Sequence, residues 1–205
     1  MMKHWMRAAA IAAALLMTIV AVPSRGDTPD PAVQRIQGFC DVWIDVMKHA
    51  KELGVKGRYE KLKVATDQIF GFNEMVRYIV GSDRWSKTAP ADQQKLVATF
   101  ARYTAAVWAD RLDGYDSEKF VIQPAPTLRG QDRVVMTKLV GPNDSTDIAF
   151  RMRQVDGSWK IIDVYYMNSV SQLGTEHDGD SATVQSSGVA GLEKAMDAKT
   201  AKLLK

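Results

Sequence analysis

The feature that most restricts the fold is Asp156-Gly157, set between two β-prone runs. Both central positions of a two-residue hairpin turn take positive φ, and Asp-Gly accepts this at low cost. The spacing predicts an antiparallel hairpin of Thr146 to Gln154 with Trp159 to Tyr166. The second run, W-K-I-I-D-V-Y-Y, is dense in β-branched and aromatic residues, as a buried pleated strand requires. A regular ladder puts Ile148, Phe150 and Met152 on one face with Trp159, Ile161, Asp163 and Tyr165. Ala149, Arg151 and Arg153 then share the other face with Lys160, Ile162 and Val164. Asn168-Ser169 interrupts the run, and Ser169 is the expected cap of a helix from Val170.

Helical patterns dominate upstream. Asp30-Pro31 supplies an N-cap and a first-turn proline, and Val33, Ile36, Cys40, Trp43, Met47 and Ala50 follow at three- and four-residue spacing up to Gly54. A shorter helix is expected from about Tyr59 to Phe70. Phe72, Met75, Val76, Ile79 and Val80 then form a wide apolar stripe ended by Gly81. Two readings fit that stripe, ordinary core or the wall of an apolar pocket. A long helix runs from Thr88-x-Pro90 through Leu112, with Leu96, Phe100, Tyr103 and Val107 on one seam.

Two more strands precede the hairpin, Phe120 to Gln123, cut off by Pro124 and Pro126, and Arg133 to Val140. After Leu173 the chain turns polar (G-T-E-H-D-G-D-S), which reads as a loop before a final helix carrying Leu192, Met196 and Leu203. Helices followed by antiparallel strands predict an α+β fold: a curved sheet of four or more strands with helices covering one face.

Residues 1–26 read as a signal peptide, with Lys3 and Arg7 before the apolar Ala8 to Val22 and small residues at Ser24 to Gly26. The alternative is an uncleaved anchor. Cleavage would leave residues 27–205 as one domain in the periplasm. It would also remove Lys3, Arg7 and Arg25, leaving 24 basic against 24 acidic residues. A neutral chain argues against nucleic acid as a partner. Cys40 is the single cysteine, so no internal disulfide can form; it reads as a small buried hydrophobe on a helix, with a reactive thiol as the other possibility.

Catalytic patterns are sparse. No Gly-rich phosphate loop, nucleophile elbow or metal-ligand spacing is present, and no cofactor is implied. His177 sits in an acidic run that suits a solvated loop. Asp163 is the exception. A carboxylate on the apolar face of a sheet can serve as an acid or base, as in small NTF2-like cone enzymes, or it can simply be satisfied by local donors.

Several pieces resemble the MlaC (toluene-tolerance auxiliary) family, and most closely its hopanoid-associated HpnM branch. They are Phe72-x-x-Met75, Gly81 with Trp85, Thr88-x-Pro90-x-x-Gln93, Phe100, Trp159 with Asp163 and Tyr165, and Ser169 to Leu173. The resemblance spans roughly Pro31 to Met196; it departs at Gly174 to Asp178, where the family carries an Arg and an aromatic. It implies a non-enzymatic periplasmic carrier with a lipid cavity between sheet and helices. The implied cargo is a phospholipid or a hopanoid. The implied partners are an inner-membrane ABC transporter with an MCE-type subunit and an outer-membrane lipoprotein complex. The residues expected to meet lipid are Phe39, Trp43, Phe72, Met75, Val76, Ile79, Phe100, Tyr103, Val107, Phe150, Met152, Ile161 and Tyr165, each of which could instead be plain core.

Overall fold

The computed structural model describes residues 29–167 and 169–205. The expected signal peptide and Asn168 lie outside the described residues. The fold is α+β, with six helices and a six-stranded antiparallel sheet among the described residues.

Helix α1 (Pro31–Lys48) starts as the sequence predicts, with the Asp30 carboxylate accepting from the Ala32 N–H at 2.8 Å and Pro31 in the first turn. Helix α2 (Ala50–Ile69) begins earlier than expected and breaks at Gly54, leaving α1 to end at Lys48. Buried Arg58 joins α2 to the long helix α5 (Pro90–Arg111), its Nε donating to the Ala109 carbonyl at 2.7 Å. Between them lie α3 (Phe72–Val80) and α4 (Ser82–Lys87), separated at Gly81. The apolar stripe of α3 is buried from Phe72 to Val80.

The sheet order is β1 (Lys119–Ile122), β3 (Asp132–Val140), β4 (Ser145–Val155), β5 (Ser158–Tyr166), β6 (Val170–Ser171). Strand β2 (Thr127–Arg129) shares the β3 edge with β1, an element hidden in the sequence by the Pro124 and Pro126 break. The hairpin turn is as expected, with positive φ at Asp156 (47°) and Gly157 (76°).

The register of that hairpin differs from the regular ladder. Met152 pairs with Ile161, but Arg151 pairs with Asp163, so β5 carries one extra residue, Ile162. This β-bulge reverses the alternation beyond it. Phe150 now pairs with Val164 and Ile148 with Tyr166, while Asp163 and Tyr165 move to the outer face opposite Arg151 and Ala149. The bulge coincides with a local tie: the Gly71 N–H donates to the Ile161 carbonyl at 2.9 Å, and Phe70 bridges Ile161. A Cβ on Gly71 would lie 3.3 Å from Ile162 and 3.4 Å from Lys160, so the approach favours glycine.

The chain after β6 is also helical. Helix α6 (Gln172–Leu203) takes in the polar stretch read as a loop, and its segments meet at Gly188, where φ is 64°. Its cap is Ser171, whose Oγ accepts from the Gly174 N–H at 2.8 Å, rather than Ser169. Three glycines and few apolar residues weaken the helical pattern in 172–188. Packing against α3 and α5 decides the outcome, with Leu173 and Val184 buried. Helices α1, α2 and α3 pack against the sheet, α6 packs on β5, and α5 lies against α2, α3 and α6; the core joins Trp43 and Phe39 to Phe150, Met152, Ile161 and Val164.

Candidate functional site

Between α5, α6, the loop before α3 and the inner face of β5 lies a cavity of about 60 Å³. Helix α5 contributes Phe100, Tyr103, Thr104, Val107, Trp108 and Arg111. Their spacing follows the helical repeat, so Tyr103, Val107 and Arg111 stand on successive turns of one face. Phe70 and Met75 come from the α2–α3 corner and α3, Val164 from β5, and Gln172, Leu173 and Glu176 from the start of α6. Most of the lining is apolar, with Tyr103, Thr104, Arg111, Gln172 and Glu176 as its polar members.

Size sets what this cavity can hold. A liquid water occupies about 30 Å³, and pockets for whole ligands run to roughly 300–1,000 Å³. A void of 60 Å³ has room for a few small atoms at most and is far smaller than a site for a whole acyl chain. Larger hollows with mixed polar and apolar walls occur elsewhere, such as the one of about 500 Å³ on the outer face, lined by Arg129, Arg151, Arg153 and Tyr165 together with Ile162 and Leu173.

The residues expected to meet lipid divide by position. Met75, Phe100, Tyr103 and Val107 line the cavity. Phe39, Trp43, Phe72, Val76, Ile79, Phe150, Met152 and Ile161 are buried in the surrounding core. Aromatic contacts hold several of them: Trp43 lies 4.3 Å from Trp108 between ring centroids, and Phe72 meets Phe100 edge-on at 5.9 Å. Tyr165 stands on the outer face, where its hydroxyl accepts from Arg129 at 3.2 Å. The bulge is the reason. It also brings Val164, expected outside, into the cavity wall. Trp108 and Arg111 could have been found from the α5 periodicity; Gln172, Leu173 and Glu176 could not while that stretch read as a loop.

Two of the groups lining the cavity are electrostatically perturbed. Burial pushes the Glu176 carboxyl above its ordinary range, and the nearby Asp180 charge adds to this. Tyr103, whose hydroxyl donates to Glu176 at 3.4 Å, is pushed up to about 12 by burial and by the same two carboxylates. Arg111 donates from Nη1 to the Tyr166 hydroxyl at 3.2 Å, and its guanidinium lies 5.7 Å from the Trp108 and Tyr166 rings. The Cys40 thiol is buried, and that burial pushes its pKa far up, away from the reactive range.

Asp163 is satisfied by local donors. Its Oδ1 accepts from the Val164 N–H at 2.8 Å and the Leu173 N–H at 3.1 Å, and Oδ2 accepts from Ser171 Oγ at 2.7 Å. The carboxylate thus ties β5 to the start of α6, next to the cavity, from the outer face. No group of three or more His, Cys, Asp and Glu suited to a metal ion occurs among the described residues.

A family model described as MlaC protein matches residues 39–198. A phospholipid-binding protein from Ralstonia solanacearum, solved in complex with a phospholipid, has the same fold, with a TM-score of 0.71 and 20% sequence identity. The match covers 86% of this chain and 100% of that one. No curated protein matches the sequence. With most of its length matched, the chain belongs to the MlaC family.

Proposed function

We propose that this member of the MlaC family is a non-enzymatic periplasmic carrier that holds phospholipid between α5, α6 and the sheet. Residues 27–205 form one lipid-binding domain in this reading. The observation that carries it is the apolar cavity under α5 and α6, in a fold shared with a protein solved around a phospholipid. That relative favours phospholipid over a hopanoid as cargo. Asp163, the one candidate for catalysis, is occupied as a structural tie. The physical need is large. At about 0.8 kcal/mol per CH₂, exposing two chains of about sixteen carbons to water costs on the order of 25 kcal/mol. Unaided transfer across an aqueous compartment is correspondingly slow.

An inner-membrane ABC transporter with an MCE-type subunit and an outer-membrane lipoprotein complex fit as the donor and acceptor. The cavity opens as α5 and α6 separate, with the chains taking the space beside Met75, Phe100, Val107, Val164 and Leu173. The test is transfer of labelled phospholipid between two vesicle populations kept apart by a protein-permeable membrane. Transfer should rise in proportion to added protein. No transfer above the spontaneous rate, with no lipid found on the protein, would overturn the reading.

A further inference from the structure

Two opposite charges line the cavity, Arg111 and Glu176, and neither has an ion-pair partner among the described residues. Arg111 ends α5 and meets only a tyrosine hydroxyl and two aromatic rings. Glu176, on α6, meets only the Tyr103 hydroxyl, at a long 3.4 Å. The two influence each other electrostatically without forming a salt bridge. One turn beyond Glu176, Asp180 is 3% exposed. Its Oδ1 accepts from Lys199 at 3.0 Å, while its buried Oδ2 has no hydrogen-bond partner. Buried carboxylate oxygens without donors are costly; of the two carboxylates Glu176 is the one that lines the cavity, and Lys199, held on Asp180, also acts on Glu176 electrostatically.

Resting on the carrier reading, we propose that Glu176, supported by the charge of Asp180, selects phospholipids whose head group carries a primary ammonium. The phosphate lies at Arg111 and the ammonium at Glu176, with the acyl chains on the apolar lining. A zwitterion of this kind matches an unpaired guanidinium and an unpaired carboxylate lining one cavity. The ammonium supplies hydrogen-bond donors as well as charge, which a carboxylate-lined wall lacks. An anionic head group such as phosphoglycerol brings a phosphate to Arg111 but no cation to Glu176. Its negative charge is then added beside the Glu176 carboxylate, which no cation contacts directly among the described residues.

The test offers delipidated protein vesicles containing equal amounts of phosphatidylethanolamine and phosphatidylglycerol with identical acyl chains. The lipid on the re-isolated protein is then quantified. Wild type should carry the ammonium lipid in about tenfold excess, the size of one hydrogen bond to a charged group. Glu176→Gln, which keeps the side-chain volume, should bring the ratio close to one. Arg111→Gln should lower uptake of both lipids while the excess of the ammonium lipid persists. Thermal unfolding of each variant checks folding. A wild-type ratio near or below one, or a ratio unchanged in Glu176→Gln, overturns the inference and leaves the carrier reading standing. Uptake of neither lipid by wild type overturns both.

Discussion

Replacing Val107 with Leu tests whether the cavity is both empty at rest and used by lipid. Val107 lines the cavity from α5 and is half-buried. At about 24 cal/mol per Å³ of unfilled volume, the 60 Å³ void costs the protein at most about 1.4 kcal/mol. Leu adds one methylene, worth about 0.8 kcal/mol when buried, and has a slightly better helix propensity than Val. The lipid-free protein should therefore gain about 0.8 kcal/mol, read as a higher urea midpoint at unchanged slope. The same gain opposes opening. Since 1.4 kcal/mol is about a factor of ten, uptake of labelled phospholipid should slow about fourfold. Stability and uptake thus move in opposite directions. A gain in stability with uptake unchanged would mean the chains enter elsewhere. A loss of stability would mean that no space is available at Val107.

Asp163→Ala should destabilise the protein by about 3–5 kcal/mol, because two buried N–H groups and Ser171 lose their acceptor; chemical denaturation measures this, and a cost under about 1 kcal/mol would refute the tie between β5 and α6. Gly71→Val should cost about 1–3 kcal/mol through crowding against Ile162 and Lys160, and a neutral result would refute the close approach at the bulge. Burial works to raise the Asp132 carboxyl, but hydrogen bonds from Arg153 and Arg151 outweigh it and hold its pKa below the usual 3.8. Its folded value is the lower one, so its contribution is present above about pH 4 and is lost as pH falls through the folded value. Asp132→Asn should therefore flatten the acid limb of the stability–pH curve; an unchanged limb would contradict the pairing.

Legibility in the sequence followed local chemistry and failed where tertiary structure intervened. Asp156-Gly157, Asp30-Pro31 and Pro90 announce their turn and helix starts through backbone constraints that act within a few residues. The bulge at Ile162 has no such signal. It is held by Gly71, some ninety residues away in sequence, and it alone moved Asp163 and Tyr165 outward and Val164 inward. The first part of α6 is polar and glycine-rich, so only its packing on α3 and α5 reveals it as a helix. Glu176 stayed hidden for that reason. The stripe from Phe72 to Val80 was visible as apolar, but only the packed structure separates Met75, beside the void, from Val76 and Ile79 in the core.

The most direct test of the carrier claim is native mass spectrometry of the protein expressed with its own N-terminal segment and recovered from the periplasm. Because release of the acyl chains into water is so unfavourable, the protein should emerge with phospholipid bound, and solvent extraction should return a diacyl lipid in near-equal amount. A sterol-like hopanoid in its place would change the cargo. Protein recovered empty, and unable to take phospholipid from vesicles, would contradict the claim.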